Sequence, residues 1–196
     1  MEEPRLTIEE LLASYVLGKI SLPALPSLAI EAIENKYESE SMYIVAGMNS
    51  TDSYFELKEY FDRALDELQV NIRDKTLAAK LIVNYIVNEI LERRSNCYGG
   101  VNIIINTNFH YSCPQNIRKD EYYHKLGLSE IYEVWQQLNR EIKEIDYAKV
   151  KTKAYHNFIA KKDEELYQLV KRWSHERLKQ DVDRILFDLK TSRIKN

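Results

Sequence analysis

The sequence predicts an all-α protein, an irregular multi-helix bundle of about seven or eight antiparallel-paired helices. Three observations carry that expectation. The 196 residues include only five glycines and four prolines. These breakers cluster, leaving Met48–Tyr98 and Leu128–Asn196 almost uninterrupted. Within both stretches apolar residues recur at three- and four-residue spacing, the pattern of helices with one buried face.

Thr7 and Glu10 form a capping box, each side chain matched to a free backbone N–H at the start of a helix carrying Ile8, Leu11, Leu12, Tyr15 and Val16. Gly18 closes it. Pro23 and Pro26 suit the first turn of a second helix, where no N–H is needed, with Leu25, Leu28, Ala29, Ala32 and Ile33 as its stripe. Ser39 or Ser41 caps a short third helix through Tyr43, Ile44 and Val45, and Gly47 is expected to end it in the left-handed conformation. Asn49, Ser50, Thr51 and Asp52 offer caps to a fourth, whose core positions are Phe55, Leu57, Phe61, Ala64, Leu65 and Leu68. A fifth is predicted from Asp74 to Arg94, its final arginines suiting the negative end of the helix dipole.

The run Val101–Phe109 is rich in β-branched residues and asparagine, which by propensity favours strand. A lone strand has no partner elsewhere in the chain to satisfy its backbone, so a short helix is expected instead. A loop follows to about Pro114. From Ser129 a helix carries Ile131, Tyr132, Val134, Trp135, Leu138, Ile142 and Ile145. The last helical region, from about Ala154 to Lys190, holds Leu166, Leu169, Val170 and Trp173 on one stripe. It resumes one residue out of step at Leu178, Val182, Ile185 and Leu189, which predicts two helices or a bend near Ser174 and His175.

The positions Leu25, Pro26 and Ala29; Tyr37, Ser39 and Ser41; Ala46 and Gly47; Phe55, Glu56 and Leu57; and Tyr98 with Gly100 together resemble a group of small all-helical bacterial proteins of unassigned function. The resemblance covers about residues 18–105. It implies an all-helical fold and a bacterial origin, and it transfers no catalytic residue. Gly99 departs from the usual pattern, which has an acidic residue there.

Composition narrows the function. At 44% apolar and 30% charged the chain can fill a core, and its net charge of −3 argues against a protein whose main business is nucleic-acid backbone. Two cysteines, no export signal at the start and no long apolar run predict a cytoplasmic protein that does not enter a membrane. Phosphate-loop, dinucleotide, serine-elbow and zinc-protease motifs are absent. Cys97, His110, Cys113 and His124 lie close in sequence, but only His110 and Cys113 have the spacing of a zinc ligand pair, and no metal or cofactor is expected. Glu121 and His124 make a single Glu-x-x-His, where a di-iron bundle needs two.

The charge is unevenly divided. Residues 1–100 hold 10 Lys+Arg against 17 Asp+Glu, a net −7, and residues 101–196 hold 18 against 14, a net +4. This separates an acidic helical region, 1–112, from a basic one, 113–196, packed with the first as one domain. The leading expectation is a non-enzymatic protein-binding module, an immunity or antitoxin-like protein that blocks a basic partner. Its contact residues are expected to be Tyr54, Glu56, Glu59, Asp62, Asp66 and Glu67 on the fourth helix.

The enzymatic alternative starts from Arg118 and His124, whose spacing resembles the Arg-x(4 to 6)-His motif of the helical HEPN ribonucleases. That resemblance implies a pair acting beside a scissile phosphate. RNA binding is the related option, through Lys149, Lys151, Lys153, Lys161, Lys162, Lys171 and Arg172 interleaved with Tyr155 and Trp173, although both aromatics fall on the apolar stripe.

Overall fold

A computed structural model describes residues 6–49, 52–69, 74–109, 118–143 and 152–194. Every regular element among them is helical. The helices are α1 (Ile8–Val16), α2 (Leu25–Glu34), α3 (Glu40–Gly47), α4 (Tyr54–Glu67), α5 (Lys75–Leu91), α6 (Cys97–Ile103), α7 (Lys119–Lys125), α8 (Ser129–Lys143), α9 (Lys153–Trp173) and α10 (Lys179–Ile194). A 3-10 turn, Leu22–Ala24, leads into α2. Two π-helical segments extend α-helices: Ile104–Phe109 after α6, and Ser174–Leu178 between α9 and α10. No helix among the described residues is long and apolar enough to cross a membrane.

The helices gather into two compact units. The first contains the described residues through Ile82 and those from Val182 onward; the second contains Val83–Asp181. This division falls inside α5 and α10, whereas the charge of the chain changes sign near residue 112.

In the first unit the capping box at α1 is formed: Thr7 N–H donates to Glu10 Oε2 at 2.8 Å, and Glu10 N–H to Thr7 Oγ1 at 3.3 Å. Gly18, at φ +70°, turns the chain out of the helix. α3 packs against both α2 and α4. Leu12, Leu25, Ala29, Met42, Val45, Leu57 and Phe61 form the core between them. Tyr15 meets Phe61 edge-on, ring centres 4.6 Å apart. Tyr37 is fully buried, and its hydroxyl reaches the Glu9 carboxylate at 2.9 Å, so the polar end of a large core ring is satisfied.

Two local expectations for this unit change. Gly47 is the last residue of α3, not a left-handed cap, and the chain leaves through Met48 in an extended conformation. The residue before α4 is Ser53, whose side chain makes no capping bond; of the four candidate caps, Asp52 instead accepts from Asn49 N–H at 2.7 Å, and Ser50 and Thr51 lie outside the described residues.

In the second unit α9 packs against α8 and α6. α5 stops at Leu91, short of the expected Arg94. Arg93 takes the left-handed conformation at φ +58°, Arg94 N–H returns to Glu89 O at 2.9 Å, and no glycine is used. The Arg93 guanidinium lies 3.5 Å from the centre of the Tyr167 ring and pairs with Glu164 at 3.0 Å, which fixes an otherwise unfavourable backbone. α6 is tied to both neighbours: Tyr98 N–H donates to Asp163 at 3.0 Å, and Tyr98 Oη donates to Asn139 Oδ1 at 3.0 Å. The run from Val101 is helical, as the lack of a strand partner requires. Its first turns bury Val101, Ile104 and Ile105.

α7 was not foreseen from the sequence. It is short, but it buries Tyr122 and Tyr123, and the Tyr123 hydroxyl donates to Ile105 O at 3.1 Å. Tyr123, Tyr132 and Trp135 form a ring-to-ring row, with centre separations of 4.7 and 5.8 Å.

Candidate functional site

The six residues expected to contact a partner occupy one helix, but they differ in what they do. α4 turns Leu57, Phe61, Ala64 and Leu65 inward, and that stripe leaves its remaining positions to solvent. Tyr54 is 54% exposed and Phe55 75%, the largest exposure among the described large apolar side chains. Phe55, grouped with the core positions because it is apolar, is therefore on the surface, off the stripe of Leu57, Phe61 and Ala64. It lies in the first turn, before the buried stripe begins. Glu56 and Glu59 are exposed beside it, Glu59 paired with Arg63 one turn on at 3.1 Å. Such an exposed pair contributes little to stability.

Asp62 and Glu67 are engaged within the unit. Tyr15 Oη donates to Asp62 at 2.8 Å, and Lys58 also reaches that carboxylate. Glu67 closes the start of a neighbouring helix: Ser41 Oγ donates to Glu67 Oε1 at 2.6 Å, and Ser41 N–H donates to Oε2 at 3.0 Å. Ser41 sits in the first turn of α3, where N–H groups have no carbonyl partner inside the helix and a negative charge is favoured. The Ser41 bonds, the hydroxyl first and the backbone second, hold the Glu67 carboxyl below its ordinary range. Asp66 is exposed on the same side of the chain's fourth helix.

A stability prediction follows for Glu67. Because its folded-state pKa lies below the unfolded value, its contribution is complete above about pH 4.3 and is lost as the pH falls through the folded value. Glu67→Ala leaves the buried Ser41 hydroxyl without its acceptor, an expected loss of about 1–2 kcal/mol near neutral pH. Urea denaturation as a function of pH checks both parts: the difference between parent and variant should shrink in acid. A difference that stayed constant down to the acid transition would contradict the assignment.

Around α3 and α4 other apolar side chains are also exposed. Tyr43 is 52% and Ile44 40% exposed on α3, and Tyr43 Oη donates to Glu38 at 3.1 Å, which raises the phenol's pKa. The first unit thus combines exposed aromatics with carboxylates on two packed helices.

The alternative pair is placed differently. Arg118 precedes α7, and its guanidinium points back at its own neighbour Asp120, 2.9 Å away, with most of its surface in water. His124 is in the last turn of α7, with Nδ1 3.2 Å from Ser129 Oγ. It borders a cavity of about 670 Å3, whose lining does not include Arg118.

Of the four residues weighed as a metal set, His110 and Cys113 lie outside the described residues. Cys97 is buried at the start of α6, and burial, followed by the nearby Asp163 charge, pushes its thiol up to about 12. It is a protonated core thiol near neutral pH and a poor nucleophile. Among the basic residues of the RNA-binding option, Lys149 and Lys151 lie outside the described residues. Lys162 pairs with Glu165 at 2.8 Å, and Trp173 is buried, its indole N–H donating to Leu126 O at 2.9 Å. That indole braces the turn between α7 and α8 and is not a platform for a base.

Comparison with known proteins yields no match to a family model, to a curated protein or to a solved structure.

Proposed function

We propose that this chain is a non-enzymatic protein-binding module whose contact surface is the exposed face of α4, and that its partner carries a basic groove. The observation that supports this reading is Phe55, a phenylalanine three-quarters exposed beside the carboxylates Glu56 and Glu59. An aromatic ring three-quarters in water beside a buried stripe contributes little to the fold. It becomes favourable when a partner covers it, and aromatic anchors surrounded by polar side chains are typical of the centres of protein interfaces. The carboxylates add complementarity to a basic surface and accelerate encounter.

The concrete form of the proposal is an immunity or antitoxin-like role. The acidic face would occupy the substrate groove of a basic partner such as a nuclease, and so exclude its nucleic acid. Asp62 and Glu67 would support that face from within the unit, since their oxygens hold Tyr15 and Ser41.

The test is affinity capture from the native lysate with the parent chain and with Phe55→Ala, at low and high salt, followed by mass spectrometry. The expected result is a basic protein retained by the parent at low salt, lost at high salt, and retained at least about tenfold less by Phe55→Ala, the usual scale for removing an aromatic anchor. Equal retention by both chains would refute the surface. Recovery of RNA without protein would favour the nucleic-acid alternative.

A further inference from the structure

A second feature of the molecule is independent of the α4 surface. The turn joining α7 to α8 and the C-terminal end of α9 line an open cleft of about 670 Å3 that borders His124. That volume is within the range of small-ligand pockets, several times what a lone phosphate needs. Ile131, Leu169 and Trp173 supply its apolar lining, of which Leu169 is the most accessible.

The charged lining is more basic than acidic and is built with unusual backbone. His124, Lys125, Arg172 and Arg177 all line the cavity. Arg177 lies in the π-helical turn Ser174–Leu178, whose extra residue per turn rotates it onto the face occupied by Arg172. Opposite it is Gly127, at φ +72°. A Cβ built there would be 2.8 Å from both Cδ and Nη1 of Arg177, so a larger residue would push the guanidinium away from the turn, and the positive φ itself favours glycine. Two carboxylates share the lining, Glu130 and Glu176. Glu130 is taken up by Arg172, which keeps further N–H donors after that pairing. Neither Arg177 nor Glu176 is in an ion pair among the described residues. His124 Nδ1 is committed to Ser129, leaving Nε2 as the ring nitrogen available to a ligand.

An unmatched guanidinium, a second one with spare donors and an imidazole nitrogen line one cleft beside the apolar Leu169, and together they outnumber the single unpaired carboxylate, Glu176, as the complement of a compact dianion carrying a larger organic group. We propose that this cavity binds a phosphate monoester of nucleotide size, with the phosphate between Arg177, Arg172 and His124 Nε2 and the organic portion over Ile131 and Leu169. Guanidinium groups suit this task because their planar forks bind phosphate oxygens in pairs.

Isothermal titration calorimetry on the full chain tests the proposal, using the four 5′-ribonucleoside monophosphates, adenosine and inorganic phosphate as probes. At least one monophosphate is expected to bind saturably with a Kd below about 1 mM, adenosine at least about tenfold more weakly, and inorganic phosphate to compete. Arg177→Gln should weaken the monophosphate at least about tenfold, the scale of one charge-assisted bond, with an unchanged melting temperature. Arg172→Lys should fall between that variant and the parent, and Arg140→Gln, outside the cavity, should bind as the parent does. The proposal is overturned by the absence of saturable binding for every monophosphate, by adenosine binding equally well, by inorganic phosphate binding where no nucleotide does, or by full affinity in Arg177→Gln.

Discussion

Gly100→Val is expected to destabilise the second unit by about 3 kcal/mol, the upper part of the range for overpacking a core. Gly100 is buried in α6 where that helix meets α5, and a Cβ there would be 2.5 Å from Ile90 Cδ1 and 2.7 Å from Ile90 Cγ1. Neither separation is tolerable, and Ile90 is itself fully buried, so its side chain has little room to withdraw. Valine adds two further methyl groups to the same space. Gly100→Ala should cost less, because about 1 kcal/mol of improved helix propensity offsets part of the clash. The diagnostic is the pair. Ile90→Ala alone leaves a cavity and should cost about 2–5 kcal/mol, yet in the Gly100→Val background it removes the clash as well as the packing. The double variant should therefore be more stable than the sum of the singles by more than about 1 kcal/mol. Urea denaturation of the four chains measures this coupling, and additive losses would show that the two side chains do not compete for one space.

The same glycine shows what a sequence can and cannot convey. Gly99 and Gly100 count in the sequence among the breakers that separate the two long helical stretches. The helix instead runs through them, and Gly100 is present so that α6 can approach α5. Nothing local distinguishes a glycine required by a neighbouring helix from one required by a positive φ. The step in apolar register after Trp173 was more informative. A π-helical turn adds one residue to the helix, so a stripe that resumes one position late keeps its face, and Ser174–Leu178 is that insertion. The region from Val101 was legible through a constraint of the whole chain: with no second strand, its β-branched residues had to go into helix. α7 escaped notice because its seven residues are too few for periodicity to show, and its tyrosines are buried through contacts with residues distant in sequence.

The candidate surfaces were legible in part. The acidity of α4 is a matter of counting, and helical spacing assigns most of its outer positions. What spacing cannot assign is which carboxylates have intramolecular duties. Asp62 and Glu67 resemble Glu56 and Glu59 in sequence, and only the approach of Tyr15 and Ser41 sets them apart. Apolar character alone assigns Phe55 to the core, although the stripe through Leu57, Phe61 and Ala64 does not include it. The cavity beside His124 was illegible: Gly127 and Arg177 are fifty residues apart in the chain, and their juxtaposition depends on the π-helical turn.

This distinction decides how the α4 surface should be challenged. Reversing Asp62 would disturb Tyr15 and Lys58 together, so a loss of binding there would not separate recognition from folding. Glu56→Lys with Glu59→Lys avoids the problem. Both side chains are exposed, and the one ion pair sacrificed, Glu59 with Arg63, is half in water. The double reversal changes the charge of the face by four units, from −2 to +2 at those positions. Against a basic partner, steering governs the encounter rate, and such reversals are expected to slow association by about 10- to 100-fold at low salt. The dissociation rate should change much less, because rim charges act mainly before contact. Raising the ionic strength shortens the Debye length from about 30 Å at 0.01 M to about 10 Å at 0.1 M, so the association rates of parent and variant should converge. Phe55→Ala should behave in the opposite way, with a nearly unchanged association rate and faster dissociation, since a buried anchor acts after contact. Stopped-flow measurement of both variants against the captured partner at two salt concentrations gives eight rate changes, one association and one dissociation change for each variant at each salt. If the charge reversal altered dissociation and the anchor altered association, α4 would not be the surface through which this chain binds.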